Sequence, residues 1–370
     1  MEHTEYEYIV IGAGIAGLSA AYHLVKDGYS VLVLEATDGS ESASMASTAE
    51  MNHDPDANWD NIVEQFGIGG AKLLWKLCSD GIDLLSEFAH QSGEPHFGTD
   101  RVPAYFFSYR NEDTEILKKK YDFYTSIGAH VSLDTASSLH PNFHAVLTTH
   151  GEGVTNNQML LKTLAHEVRE RGGSILHNCP VSRLHGNRVI TESGEEYLGK
   201  QIIVATGDGA DLLSWSSEIE KKRTFVISYQ RHDLPEFFRT SVMWDTDKPY
   251  HYVRSFGGNR LWIGGEDVYE RDYVSSEEND GKKYAALEQY AREVLGTDDS
   301  YVHQSAWNGP FYPAKRGLPY IGVIPGTPHI ASVGFGGTGI ITSFLSGYLL
   351  AAWKRGELLD YQPLFAADWE

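Results

Sequence analysis

Four residues near the start of the chain have the types and spacing to grip a dinucleotide. Gly12, Gly14 and Gly17 form G-x-G-x-x-G, and Glu35 follows where an acid can meet a ribose diol. Gly12 permits a tight turn, Gly14 lets backbone approach a pyrophosphate, and Gly17 lets a helix pack close to a strand. The elements that must position them are legible on either side. Residues 8–11 are a β-branched apolar run of the kind found in buried parallel strands. Residues 15–27 set Ala16, Ala20 and Ala21 beside Leu18, Leu24 and Val25, as suits a helix packed on a sheet, with Gly28 placed to cap it. Ile15 and Ala16 stand in the first turn, where backbone N–H groups face an anion. Residues 31–34 form a second strand, which ends at Glu35 and Ala36. In that setting the glycines predict a bound dinucleotide.

Three further stretches have chemistry of the same kind. The loop after Glu35, ATDGSESASMASTAEMN, offers the hydroxyls of Ser44, Ser47 and Thr48 to a phosphate or a cofactor ring, and a plain surface loop has the same composition. QIIVATG, residues 201–207, is an apolar strand ending in Ala205, Thr206 and Gly207, whose small size permits close approach of a ligand. Near the C-terminus GFGGTGI, residues 334–340, opens a helix and makes a second anion-accepting N-terminus. Residues 173–183 read as a strand running to a turn, a suitable third strand for the nucleotide-binding sheet, with Val181 able to touch adenine through its backbone.

The totals narrow the field. A chain of 370 residues suggests two domains. The formal charge of −21 argues against nucleic acid and anionic membranes. It favours a cationic small molecule mildly, although surface acidity for solubility explains the charge more simply. No apolar run is long enough to span a membrane, and the first strand begins too close to Met1 for a signal peptide. Cys78 and Cys179 lack metal or redox spacing and read as buried thiols in a reducing cytoplasm, so no metal is expected.

From residue 224 the pattern changes to alternating, aromatic-rich strands over 224–230, 241–244, 251–256 and 261–265. An amphipathic helix over 276–295 follows, and earlier helices are expected over 61–90, in pieces, and over 114–128. The expectation is an α/β protein: a Rossmann-type nucleotide domain of residues 1–92, 150–222 and 312–370, interleaved with an antiparallel-sheet substrate domain of residues 93–149 and 223–311.

GAGIAG with Glu35, a central IIVATG, an aromatic sheet, then GLPYIG and GFGGTGI together resemble the FAD-dependent D-amino-acid oxidase superfamily over essentially the whole chain. Its members include glycine oxidase, sarcosine oxidase and γ-glutamylputrescine oxidase. TFVISYQ, DKPYHYVR and LWIGGED look most like the γ-glutamylputrescine-oxidase-like branch. The resemblance implies non-covalent FAD, with Gly12, Gly14, Gly17 and Glu35 on its ADP part. The Ser44–Thr48 loop and Gly334, Gly336, Gly337, Thr338, Gly339 and Ile340 would flank the isoalloxazine. There are departures. Ala46 and Ser47 replace an arginine common in relatives, and no cysteine stands near Gly309, where sarcosine oxidases attach flavin. Phe311 and Ile341 occupy the places of basic residues that hold a substrate carboxylate, and Trp262 that of a lysine promoting reaction with oxygen.

Strand alternation over 261–267 puts Trp262, Gly264 and Glu266 on one face. The resemblance turns that face, with His251 on the neighbouring strand, toward flavin and substrate. Gly264 would leave a gap for a ligand, Glu266 would pair an ammonium group, and His251 would accept or orient a proton; core and ion-pair roles weigh about equally for these residues. Tyr105 and Phe311 complete the expected substrate contacts. The function these features predict is oxidation of the C–N bond of an amine or amino acid by hydride transfer to flavin N5, giving an imine that water hydrolyses. Oxygen or another acceptor would take the electrons. Rival readings are a carrier-linked dehydrogenase, an FAD-binding protein without turnover, and an NAD-dependent dehydrogenase, which the C-terminal glycine cluster disfavours.

Overall fold

The computed structural model describes residues 5–40, 42–55, 59–93, 100–207, 212–213, 216–357 and 360–365. Glu41, in the loop after Glu35, lies outside them. The chain forms two compact units, Met1–Thr99 with Thr155–Lys221 and Phe311–Glu370, and Asp100–Val154 with Lys222–Pro310.

In the first unit the strand Glu5–Ile11 sits between Val31–Leu34 and Glu196–Val204, parallel to both. Ser174–Leu176 extends the sheet beyond Val31–Leu34, and Ile330–Val333 extends it beyond Glu196–Val204, again in parallel. Tyr320–Val323 closes one edge in the antiparallel sense. Ile9, Val10, Val33 and Ile203 are completely buried, as expected of strands covered on both faces. The helix Ile15–Lys26 packs closely on Gly339–Lys354. A Cβ at Gly347 would lie 2.3 Å from the carbonyl carbon of Ser19, and the Ser19 hydroxyl donates to the Phe344 carbonyl at 2.5 Å. The long helical stretch Trp59–Gln91 is two helices joined at Gly67, whose φ is 69°.

The second unit holds a mixed sheet in the order Val302–Phe311, Lys222–Gln230, Arg260–Tyr269, Tyr252–Phe256, Val242–Asp245, Asp100–Ser108, Ala145–Val154. It is not purely antiparallel. Val242–Asp245 pairs with Asp100–Ser108 in parallel, because these strands come from distant parts of the chain that no hairpin joins. The helix Glu277–Glu293 lends Leu287, Tyr290 and Ala291 to a core with Phe107, Phe225, Ile227, Met243, Val253, Leu261 and Ile263. Among the described residues no helix is long and apolar enough to cross a membrane.

Candidate active site

The first unit builds a cradle at the ends of its parallel strands. Gly12 has φ 104°, and a Cβ there would meet the Ala205 carbonyl oxygen at 2.4 Å. A Cβ at Gly17 would lie 1.9 Å from the Gly12 carbonyl oxygen, so this glycine lets helix meet strand. Gly14 differs: its only near neighbour is the Ser44 hydroxyl, 3.2 Å from where a Cβ would be. Ile15 and Ala16 are buried in the first helical turn, and the Ile15 N–H donates to that hydroxyl at 3.2 Å. Glu35, next to Ala36, accepts from the Ala13 N–H at 2.8 Å and from the N–H and hydroxyl of Thr37 at 3.0 and 2.9 Å. Its carboxylate therefore ties the glycine turn to the end of the second strand.

The Ser44 loop is pinned by a residue that sequence reasoning passed over. Asn157 opens the helix Asn157–Glu170, and its amide donates to the carbonyls of Ser44, Met45 and Ser47 at 2.6, 3.0 and 3.0 Å. The Ser47 hydroxyl accepts from the Ala49 N–H at 3.0 Å, and Thr48 is buried. Ala205 is held by a bond from its N–H to the Ile11 carbonyl at 2.9 Å. Next to Thr206, Gly207 does permit a close approach, but from the Tyr312 ring, 2.9 Å from a Cβ there. Val181 is half-buried and packs toward the Ile9–Leu32 side of the sheet. At the C-terminal glycine cluster Gly334 and Gly336 have φ of 84° and 70°, Gly337 is exposed, and Gly339 and Ile340 begin the helix. Thr338 caps that helix without a side-chain bond to it, and its hydroxyl is buried with no hydrogen-bond partner.

In the second unit the expected grouping of Trp262, Gly264 and Glu266 on one face does not form. Phe225 pairs with Gly265 but Arg223 pairs with Val268, so the strand Arg260–Tyr269 bulges, and Glu266 takes φ 59°. The extra residue resets the alternation beyond it. Trp262 stacks on Phe256 at 4.4 Å, meets Trp307 edge-on at 5.3 Å and lies beneath the Arg254 guanidinium. Glu266 turns the other way, toward the helix Glu277–Glu293, where it accepts from Lys283 at 3.0 Å. The gap expected at Gly264 is filled: a Cβ there would sit 2.1 Å from Cζ of Tyr252. Tyr252 in turn bonds the Thr224 hydroxyl at 3.0 Å.

His251 joins Glu266 on the helix side. Its ring stacks on Tyr290 at 3.8 Å, Nδ1 is 2.8 Å from Asp245 Oδ2, and Nε2 is 3.8 Å from Glu266 Oε1. Burial alone would lower its pKa, but the hydrogen bond to Asp245 and the charges of the Asp245 and Glu266 carboxylates raise it to about 9. The ring thus holds a proton at neutral pH, which suits the orienting half of the expectation that it accept or orient a proton. The nearby His251 ring, outweighing the opposing effect of burial, and then Lys283 lower the Glu266 carboxyl to about 2. Tyr105 pairs with Met243 and packs on the same core, while Phe311 is half-buried at a strand end.

Residues 7–353 match the family described as FAD dependent oxidoreductase. The chain belongs to it. This family member is 21% identical over 369 residues to gamma-glutamylputrescine oxidoreductase of Escherichia coli K12, covering 94% of this chain and 83% of that protein. Its fold is that of glycine oxidase from Geobacillus kaustophilus, with TM-score 0.85 and 18% identity over 100% of this chain and 99% of the other. L-proline dehydrogenase from P. horikoshii matches with TM-score 0.76 and 17% identity over 97% and 96%. The cofactor of this oxidoreductase is FAD, and the first unit fits it. The open approach at Gly14 leaves room beside the helix N-terminus for a diphosphate, and the unpartnered Thr338 hydroxyl at a second N-terminus suits a polar ring edge.

Proposed function

We propose that this FAD-dependent oxidoreductase oxidises the C–N bond of an amine or amino acid. The reading is supported chiefly by the family match over residues 7–353, and secondarily by the substrates that the names of its relatives give: a glutamylated putrescine, glycine and proline. The FAD, when bound, supplies a hydride acceptor; an imine follows and is hydrolysed, and oxygen or another carrier takes the electrons.

The chain's own residues bind and orient. Gly12, Gly14, Gly17 and Glu35 would hold the ADP part. Ser44, Ser47 and Thr48, Ala205 to Gly207, and the Gly334–Ile340 turn would line the rest, with Val181 beside the adenine. Binding is non-covalent in this reading, since both cysteines are buried thiols and none stands near Gly309. On the substrate side Trp262 would offer an aromatic face, and Phe311 supplies no charge for a small carboxylate; Ile341 is 1% exposed, packed against Gly81 of the stretch Trp59–Gln91, and so is no part of a substrate wall. His251, held as a cation between two carboxylates, fixes the position of Glu266 and is not a proton acceptor at neutral pH.

The test is anaerobic screening of amines, amino acids and N-alkyl amino acids against the purified holoprotein. Bleaching of the flavin by at least one class is expected. A flavin that stays oxidised with every candidate contradicts the proposal.

A further inference from the structure

We infer that Asp267 is the acid that selects the substrate, taking the ammonium of a cationic amine on the sheet face that bears Trp262 and Tyr252. The inference rests on the amine reading above and adds to it the residue that sets substrate class.

The placement follows from the bulge. Val268 pairs with Arg223 and packs on the core cluster beneath the helix Glu277–Glu293. One residue earlier, alternation returns Asp267 to the opposite face, beside Thr224. Thr224 bonds Tyr252, whose ring covers Gly264, and Arg254 and Trp262 are cross-strand partners on that same face. Asp267, not Glu266, is thus the carboxyl that shares the side of Trp262. Thr224 hydrogen-bonds the Asp267 carboxyl, but its Oδ1 is buried and has no hydrogen-bond partner, whereas Glu266 already has Lys283. A buried acceptor without a donor is costly, and an ammonium group supplies donors and charge together.

The groups that face Asp267 make this anchor sensitive to pH. Burial pushes its carboxyl up to about 6, Thr224, Lys222 and His251 pull it down, and Glu266 pushes it up. Below that pH the group is neutral and holds a cation poorly; above it the charge is present. Binding of a cationic amine should therefore weaken as pH falls through about 6.

The experiment uses the flavin-loaded protein, anaerobic mixing with a cationic amine that bleaches it, and the variant Asp267→Asn. The expected result is an apparent Kd raised about tenfold or more, as for loss of a charge-assisted contact. The limiting bleaching rate should change by less than about threefold. The weakening of binding near pH 6 seen in the unsubstituted protein should be absent from the variant. Unchanged Kd and pH dependence in Asp267→Asn, with amines still bleaching, overturn this assignment and leave the amine reading standing. Should the variant fail to fold, the unsubstituted protein alone decides: amine binding that is flat between pH 7 and pH 5 overturns the assignment. If no amine bleaches the flavin at all, both fall.

Discussion

Gly14 and Gly17 are constrained by different neighbours, and that difference makes them separable. A side chain at Gly17 collides with the Gly12 backbone, so Gly17→Val should abolish folding and flavin together. A side chain at Gly14 meets only the Ser44 hydroxyl and the space left for a diphosphate, so Gly14→Val should give folded, colourless protein. Circular dichroism and the visible spectrum of each variant check this pair. Glu35→Ala should weaken FAD roughly ten- to a hundredfold, since charge-assisted hydrogen bonds contribute about 1.5–3 kcal/mol. Part of that loss comes from freeing the Ala13 and Thr37 N–H groups that Glu35 now holds. Equilibrium dialysis of flavin gives the number. At this scale the glycine motif and its acid were legible because each position answers one steric or electrostatic demand. Asn157 was not, because an asparagine at a helix start reads as an ordinary cap; only the fold brings it to the Ser44 loop.

Elements were read well where one period ran undisturbed. The strand Glu5–Ile11, the helix Ile15–Lys26 and the strand Val31–Leu34 follow their apolar patterns. The strand Arg260–Tyr269 broke its pattern at a bulge, and a single extra residue moved Glu266 from the Trp262 side to the helix side. Gly265, with φ 147°, was the only local hint, and a glycine there serves a flat strand equally well in sequence. The bulge also creates the Lys283–Glu266–His251–Asp245 chain, which has its own consequence. Glu266→Gln should lower the His251 pKa from about 9, because the charge of Glu266, 3.8 Å from Nε2, helps keep that ring protonated. Histidine ring NMR across pH 6–10 in both proteins reads the shift; an unmoved resonance contradicts the contact. The close pairing of the helices Ile15–Lys26 and Gly339–Lys354 makes a simpler test. Gly347→Leu forces Cβ into Ser19 and should cost at least about 1–3 kcal/mol of stability, visible as a fall in Tm.

At the scale of the whole molecule, one buried group couples stability to pH. His23 lies between those two helices, with Nε2 buried and without a partner, and burial, aided by Lys26 and Arg355, lowers its pKa to about 3. The unfolded chain binds that proton near pH 6.5, so stability is full above that pH and falls as pH drops from about 6.5 toward 3. The loss reaches on the order of 5 kcal/mol at the acid end. His23→Leu should flatten this limb, which urea unfolding at pH 7 and pH 4.5 would measure. The amine activity is decided by anaerobic mixing of the purified holoprotein with a secondary or polyamine-like amine and, in parallel, with glycine and sarcosine. Rapid loss of the visible flavin band is expected with the cationic amine, and slow or no loss with the two small amino acids. A flavin bleached best by glycine or sarcosine would contradict the pocket assigned here, and one bleached by none of them or of any other amine would contradict the activity itself.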